Sequence, residues 1–314
     1  MKEHTTMVTL GISSIWRASE IRDGQRLLEA LTQVGLNGME LEYRITSTTF
    51  SEMLPLLKSM NIQVWSVHNY FPLPEILSPD KAGGDAFALS SPDLEERRLA
   101  LRYTMRTIEV ASDLGARAVV LHLGRVEMEE PMEHLKQCYR EGGIGSEKHR
   151  DILSLFFRER GNRQERYFNI VRRNLGALIQ RAEQLGISLG IENRYYLREI
   201  PNFQETRLLL EEFSGAPIGY WHDVGHAATQ ENLGIEKQKD WLDAYGDTLL
   251  GVHLHDAVGY EDHLAPLQGE VRFESIYPFF NDSVIKILEV RPTVSPEAIQ
   301  TGITYLKALS HSVR

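Results

Sequence analysis

The feature that most constrains the fold of this chain is a series of eight short apolar runs rich in Val, Ile and Leu. They cover residues 8–14, 38–44, 63–69, 118–124, 188–194, 218–225, 249–256 and 284–291. Helical periodicity appears between them, as in residues 24–35 and 51–61, and again in residues 296–309 at the end of the chain. Buried strands that alternate with helices indicate βα units around a parallel sheet. Eight such units predict an α/β fold, a (β/α)8 TIM barrel, with residues 1–314 forming a single domain.

Polar side chains occur near the carboxyl ends of most of these runs. They are Glu40, Glu42, His68, His122, Glu192, Asp223, His253 and Glu289. Because the carboxyl ends of all barrel strands meet on one face, we expect these residues to form a functional rim there. A doubly wound open sheet is the competing architecture, but it would concentrate ligands at one switch point.

Two predicted connections on this face, residues 70–92 and 125–163, far exceed the usual length of roughly 2–6 residues. We interpret residues 125–163 as a loop or helical insertion at the catalytic face. This segment and the residues that follow it contain the basic residues Lys148, Arg150, Arg158, Arg160, Arg163 and Arg166. Interspersed acidic residues favour a solvated helical face. The alternative is a clamp for an anionic substrate.

The composition, with 42% hydrophobic and 25% charged residues, is that of a globular protein. The single cysteine, Cys138, has no partner for an intramolecular disulfide, which favours a reducing, cytoplasmic setting. No targeting segment fits the N-terminus, and no apolar run approaches the roughly 18 residues of a membrane span, so we expect no membrane partner. The net charge of −10 makes nucleic acid a less favoured partner without excluding it. A homo-oligomer is compatible with this pattern.

Four strand-end residues are of the types that bind divalent metals: Glu192, Asp223, His253 and Glu289. They come from four consecutive runs, so closure of the barrel places them on one rim. Burying several charges at one end of a barrel is costly unless they compensate one another, and a metal is the simplest source of compensation. We therefore predict a divalent metal cofactor, Mn, Zn or Co, with room for more than one ion.

The chain resembles the xylose isomerase-like superfamily, which includes sugar-phosphate isomerases and epimerases, ketose 3-epimerases and the endonuclease IV family. The resemblance covers nearly the whole chain. HDVGHA at 222–227 and HLHD at 253–256, followed by EDHLAPLQGEV at 261–271, are the most discriminating segments. The other matching segments are VHNYFPLP at 67–74, VVLHLGR at 119–125, GIENR at 190–194 and LEVRP at 288–292.

The isomerase branch of this resemblance implies that Glu192, Asp223, His253 and Glu289 hold one metal. Glu192 and Glu289 would also be the catalytic residues, which remove and return a proton alpha to a carbonyl while the metal stabilises the enediolate. His226 and Arg291 would orient substrate oxygens. A small-molecule sugar or sugar-derived substrate, phosphorylated or not, is then expected.

The endonuclease IV branch implies a different function, that of a metal-dependent phosphodiesterase acting at apurinic sites. Its site has three zinc ions and uses further ligands that match His68, His122, His226, Glu261 and His263. The family has Asp where this chain has Glu261, and Asp262 offers a second register. A one-metal epimerase does not explain this extended ligand set. A binder that keeps a vestigial metal site is a third alternative.

Several further residues have open roles. His68 and His122, if they are not ligands, would contact substrate. His255 lies two residues from His253 and is either a substrate contact, a hydrogen-bonding support for the ligands or a structural residue. Five aromatic residues lie near strand ends and either wall the pocket or fill the barrel: Trp16, Tyr43, Trp65, Phe71 and Trp221.

Overall fold

The computed structural model describes residues 10–312. Eight parallel strands close into a barrel in the order β1-β10-β7-β6-β5-β4-β3-β2. They are β1 Leu10–Ser13, β2 Gly38–Leu41, β3 Gln63–His68, β4 Ala118–Leu121, β5 Ser188–Glu192, β6 Ile218–Asp223, β7 Leu249–Leu254 and β10 Ile285–Leu288. The predicted (β/α)8 barrel is confirmed. Residues 8 and 9 of the first predicted run lie outside the described residues, and the extent of the domain over 1–314 stays a prediction.

The helices occupy the connections between these strands. They are α1 Ile15–Ala18, α2 Gly24–Thr32, α3 Ser47–Ser59, α4 Leu94–Asp113, α5 Met132–Arg140, α6 Glu147–Leu185, α7 Phe203–Glu212, α8 Val224–Asn232, α9 Gln238–Tyr245, α10 Phe273–Ile276 and α11 Pro296–Ser312. Short 3₁₀ turns cover Pro79–Lys81, Gly246–Thr248 and Tyr277–Phe279. None of the helices within residues 10–312 is both long and apolar enough to cross a lipid bilayer.

Two tryptophans fill the interior of the barrel below its carboxyl-end face. Trp221 packs with Ala118, Val120, Ile285 and Ile287, and Trp65 lies against this cluster. Glycines make room for both indoles, because a Cβ at Gly251 would overlap the ring of Trp221 and one at Gly38 would overlap that of Trp65. The packed interior confines polar chemistry to the rim above it.

The connection after β4 is largely helical. Its residues 125–163 comprise α5 and the first turns of α6, a helix of 39 residues that spans about 58 Å at 1.5 Å per residue. The connection after β3 is long and irregular up to α4, as predicted.

An antiparallel hairpin after β7 was not predicted. Its strands are β8 Asp256–Val258 and β9 Glu261–Leu264, and the turn between them contains Gly259 at φ 59°. The carboxylate of Asp256 accepts hydrogen bonds from the backbone N–H groups of Leu267, Gly269 and Val271, and so ties the segment after the hairpin to the end of β7.

Candidate metal centre

Three carboxylates converge on one nitrogen of His253 at the centre of the rim. Nδ1 of His253 lies 2.7 Å from Oε1 of Glu192, 2.7 Å from Oε2 of Glu289 and 3.6 Å from Oδ2 of Asp223. One ligand atom from each of the four residues lies within 4.8 Å of the others. All four side chains are buried. The structure thus brings together the four residues that were predicted to hold one metal.

The other nitrogen of His253 faces a carboxylate on the far side of the ring. Nε2 lies 3.2 Å from each oxygen of Glu40, which also accepts hydrogen bonds from the hydroxyls of Ser13 at 3.2 Å and Ser66 at 2.7 Å. A carboxylate only accepts, so Nε2 carries a proton and donates it to Glu40. Nδ1 also faces carboxylates, so a metal would take up the lone pair of Nδ1 by displacing the proton there, in the carboxylate–histidine arrangement that orients metal-binding imidazoles.

The charges around His253 fit a divalent cation. Burial lowers the pKa of the imidazole, but Glu289, Glu40 and Glu192 outweigh burial and raise it well above its ordinary value. Burial raises the pKa of Glu289, but His253 and His263 bring it down to about 2. The carboxylates around His253 are those of Glu40, Glu192, Asp223 and Glu289. Together they leave an excess of negative charge even when the His253 ring is protonated. A divalent metal that replaces the Nδ1 proton would compensate this excess better than the proton does.

Asp223 is held in place by two neighbours. It ends β6 and caps the N-terminus of α8, where Oδ1 accepts a hydrogen bond of 2.7 Å from the backbone N–H of His226. The backbone N–H of His263 donates to Nδ1 of His255 at 2.8 Å, so Nε2 of His255 carries the proton and donates it to Asp223 at 2.9 Å. His255 therefore positions Asp223 and offers no lone pair to the cavity.

A second group of ligand types lies beside the first and shares Glu192. Nε2 of His122 is 2.7 Å from Oε2 of Glu192, and Nε2 of His68 is 3.8 Å from the same oxygen. The Nδ1 atom of each ring faces an acceptor, the backbone carbonyl of Asn69 for His68 and the carboxylate of Asp85 for His122. Both rings therefore direct Nε2 toward Glu192, whose two oxygens face different groups of ligands.

Two residues that support this second group were absent from the predicted site. Asp85, from the long connection after β3, and Arg194, just after β5, form an ion pair of 2.7 Å, and Arg194 also lies 3.3 Å from Glu192. Burial and Arg194 lower the pKa of His122, but Asp85 and Glu192 outweigh them and raise it to about 9. Arg194 belongs to the GIENR segment, whereas no sequence signal singles out Asp85.

The remaining predicted ligands, His226, Glu261 and His263, lie in a less compact arrangement. Nε2 of His226 lies 4.0 Å from Oδ2 of Asp262, and Nδ1 of His263 lies 2.9 Å from Oδ1 of the same residue. Asp262, the second register considered from the sequence, therefore lies between the two histidines. Glu261 lines the same cavity. Its role as a ligand stays a prediction.

A cavity of about 390 Å³ opens above these groups. Its walls include His68, His122, Glu192, His226, His263 and Glu289. Of the five aromatic residues singled out in the sequence, Tyr43 lines the cavity, whereas Trp16, Trp65, Phe71 and Trp221 are packed elsewhere. Three aromatic residues that the sequence reasoning missed also line it: Tyr195, Tyr196 and Tyr260. Lys136 of α5 adds an ammonium group, so part of the insertion does reach the site.

Arg291, a predicted substrate contact, and the basic residues of the alternative clamp are not at the cavity. Arg291 is exposed, because β10 ends at Leu288 and the alternation of strand faces does not extend to it. The six basic residues between Lys148 and Arg166 do not line this cavity, and Arg160 is instead buried against Glu205. The clamp interpretation is therefore not supported, and the exposed members of the cluster form a solvated face.

Replacing Glu40 by glutamine is expected to weaken metal binding by about 10- to 100-fold, the usual cost of losing an acceptor behind a ligating histidine. The amide keeps the shape of the side chain but is neutral, and it orients the His253 ring less firmly. Competition with a chelator of known affinity measures the effect. Glu297→Gln, on the exposed face of α11, is the matched control and should leave metal affinity unchanged.

A family model described as a xylose isomerase-like TIM barrel matches residues 28–309. The solved structure of an L-ribulose 3-epimerase is similar, with a TM-score of 0.68 and 15% identity over 98% of this chain and 96% of that one. A 3-keto-D-glucoside 4-epimerase from E. coli has a TM-score of 0.67 and 15% identity over 96% and 100%. A Thermus thermophilus protein soaked with zinc chloride has a TM-score of 0.62 and 22% identity over 98% and 99%.

At these identities the structural similarities show the fold alone. No curated protein sequence matches the chain significantly. The family model spans well over half of the chain, and it agrees with the closed parallel barrel. The chain therefore belongs to the xylose isomerase-like TIM-barrel family.

Proposed function

We propose that the protein is a divalent-metal-dependent isomerase or epimerase that acts on a sugar or keto-sugar. The observation that carries the proposal is the convergence of Glu192, Asp223 and Glu289 on Nδ1 of His253 beneath a cavity of sugar size. The similar solved structures of sugar epimerases support the substrate class. The identity of the metal, as manganese, zinc or cobalt, stays a prediction. Self-association and a cytoplasmic setting are predictions too.

Glu192 and Glu289 are the residues that we expect to move the proton. Glu192 is the last residue of β5, and Glu289 directly follows β10. Strands β6 and β7 lie between β5 and β10 in the barrel, so the two carboxylates approach the cavity from different sides. One carboxylate removes a proton from carbon and the other returns one, which changes the configuration or moves the carbonyl. A divalent cation bound at His253 would stabilise negative charge on the substrate oxygens.

Other residues would hold the substrate above the two glutamates. The Nδ1–H of His226 donates to the backbone carbonyl of Asn193 at 3.1 Å, which leaves Nε2 free to accept a hydrogen bond from a sugar hydroxyl. Tyr43, Tyr195 and Tyr260 offer aromatic surfaces for the faces of a sugar ring. His255 fixes Asp223 and does not touch the substrate in this scheme.

The experiment that tests this proposal is a panel of ketoses, aldoses and their phosphates incubated in deuterated water with Mn²⁺, Co²⁺ or Zn²⁺. Deuterium incorporation at the carbon alpha to the carbonyl is expected for at least one sugar. A chelator should abolish the exchange, and added metal should restore it. Absence of exchange from every sugar with every metal would count against the isomerase proposal.

The second group, formed by His68, His122 and Glu192, favours a second candidate function. A bridging carboxylate between two groups of ligands suits two metals, an arrangement that serves phosphodiester hydrolysis. Incubation with an abasic-site duplex and Zn²⁺ or Mn²⁺ tests it. Incision that a chelator abolishes would establish the hydrolase, whereas an intact duplex under both metals would retire it.

A further inference from the structure

One wall of the cavity above the metal centre carries a lysine that the proposed reaction does not use. Lys136 belongs to α5, the first helix of the insertion after β4, and it lines the cavity together with Tyr195 and Tyr260. Besides histidines, the basic side chains in the described part of this wall are Lys136 and Arg194. The positive charge that the wall offers to a ligand therefore comes from one of these two residues.

Arg194 is already compensated by carboxylates. Its guanidinium lies 2.7 Å from Asp85, 3.0 Å from Glu199 and 3.3 Å from Glu192. A guanidinium with three carboxylate neighbours has little attraction left for an anionic ligand. The charge available to a ligand is therefore that of Lys136.

The ammonium group of Lys136 lies between two aromatic rings. Nζ is 5.6 Å from the ring centroid of Tyr195 and 5.3 Å from that of Tyr260, within the range in which a cation is attracted to an aromatic face. The hydroxyl of Tyr195 donates to the backbone carbonyl of Tyr260 at 2.9 Å, which holds the two rings together. Because both rings line the cavity, the ammonium group itself lies at the cavity wall.

The ion pair of Lys136 leaves most of its hydrogen-bonding capacity unused. Only 17% of the Lys136 side chain is exposed, whereas its partner Glu133, 3.1 Å away on the same helix, is 77% exposed. A pair with such an exposed carboxylate contributes little. An ammonium group has three donors, and Glu133 is the one hydrogen-bond acceptor of Lys136 within residues 10–312. Two N–H groups therefore remain for a ligand.

The surroundings of this ammonium group do not cancel its charge. Arg140, one turn further along α5, donates to the hydroxyl of Tyr260 at 2.9 Å and adds a second positive charge nearby. Of the acidic residues in the adjacent wall, Glu261 is exposed and Asp262 is paired with His263 at 2.9 Å. This end of the cavity therefore attracts an anion.

Tyr195 and His226 lie between Lys136 and the metal ligands. The ring centroids of Tyr195 and His226 are 5.7 Å apart, and Nδ1 of His226 lies 3.6 Å from Oδ1 of Asp223. A molecule that reaches from the metal ligands to Lys136 passes over these two rings. The group that Lys136 binds is therefore remote from the atoms that the metal would hold.

We infer that Lys136, framed by Tyr195 and Tyr260, binds a negatively charged group of the substrate. The substrate is then a sugar with a phosphate or carboxylate at the end remote from the reacting carbonyl. A charge-assisted hydrogen bond from an ammonium group suits either anion. This inference rests on the proposed isomerase or epimerase function, because it assigns a substrate class to that same site.

Isothermal titration of the manganese-loaded chain with D-glucitol, D-glucitol 6-phosphate and D-gluconate tests the inference. None of these probes has an aldehyde or ketone, so binding is read without turnover. At least one of the two anions is expected to bind about tenfold or more tightly than D-glucitol. The anion that does so identifies phosphate or carboxylate as the recognised group.

Lys136→Met keeps an unbranched side chain without the charge. It should weaken binding of the preferred anion by about 10- to 100-fold and leave binding of D-glucitol unchanged. Lys148→Met is the matched control, since Lys148 is exposed on α6 and does not line the cavity. It should bind all three probes as the unaltered chain does.

Three results would overturn the inference. The first is that neither anion binds more tightly than D-glucitol. The second is that the preference for an anion survives in Lys136→Met, because the anion would then be bound elsewhere. The third is an equal loss for all three probes in that variant, which would reflect the shape of the wall and not its charge.

Deuterium exchange separates this inference from the proposed function. Exchange on neutral sugars alone, with no effect of Lys136→Met, would leave the isomerase standing and overturn the anionic substrate class. Anion binding that depends on Lys136, without exchange on any sugar, would support the anion site and count against the isomerase.

Discussion

Glu289→Gln is expected to lower kcat for sugar isomerisation or epimerisation by about 10²- to 10⁴-fold, the usual contribution of a positioned acid or base. The amide keeps the volume of Glu289 and its place above β10, but it cannot accept a proton from carbon. Deuterium exchange on the sugar found in the panel measures the loss. Because Glu289 is also one of the predicted ligands, metal content is measured on the same samples.

The control for this variant is Arg291→Ala, two residues along the chain on the exposed surface. It should turn over normally, since Arg291 does not line the cavity. If metal-loaded Glu289→Gln kept full turnover, the assignment of Glu289 as a proton carrier would be wrong. Equal losses in both variants would point to a general disturbance of the strand end.

His253→Ala is expected to have the second large effect, a loss of metal affinity of more than about 100-fold, beyond the range for residues that only support a ligand. The imidazole is the single nitrogen donor among the four candidate ligands and the point where Glu192, Asp223 and Glu289 meet. Without it, three buried carboxylates repel one another and the metal loses its central partner.

Isothermal titration with Zn²⁺ after chelator treatment measures this effect. His255→Gln is the comparison, because His255 only positions Asp223, and a smaller loss of about 10- to 100-fold is expected there. Unchanged zinc affinity in the His253 variant would show that the metal binds elsewhere. Circular dichroism of both variants separates loss of metal from loss of the fold.

The barrel and the convergence of the principal candidate ligands could be predicted from the sequence because both follow from a simple geometric rule. Apolar runs of strand length predicted the strands, and the carboxyl ends of parallel strands meet on one face. That rule gathers Glu192, Asp223, His253 and Glu289 without any knowledge of the loops. The rule does not apply past the end of a strand. The predicted last strand included Arg291, so the rule placed this residue at the site, but β10 ends earlier.

Site residues that lie outside the barrel strands could not be predicted in this way. Asp85 reaches His122 because the connection after β3 passes over the rim, where a Cβ at Gly84 would lie 2.6 Å from Nδ1 of His122. The hairpin of β8 and β9 places Asp262, not Glu261, between His226 and His263, a choice that depends on the turn at Gly259. Neither the connection after β3 nor this hairpin produces a periodic pattern of apolar residues in the sequence.

The basic residues of α6 show why composition alone is a weak guide to a binding site. Arg160 lies in a segment rich in arginine, yet its guanidinium is buried in an ion pair with Glu205, the residue that completes the capping box at Asn202. Its exposed neighbours Arg158 and Arg163 lie on the helix surface. Only the tertiary contacts distinguish a structural arginine from a solvated one.

Anomalous diffraction from crystals soaked with Zn²⁺, recorded at the zinc edge, tests the central claim most directly. We expect a peak about 2.0–2.2 Å from Nδ1 of His253 and from carboxylate oxygens of Glu192, Asp223 and Glu289. A further peak beside His68 and His122 would add weight to the hydrolase alternative. No peak within reach of His253, in crystals that bind zinc elsewhere or not at all, would contradict the account.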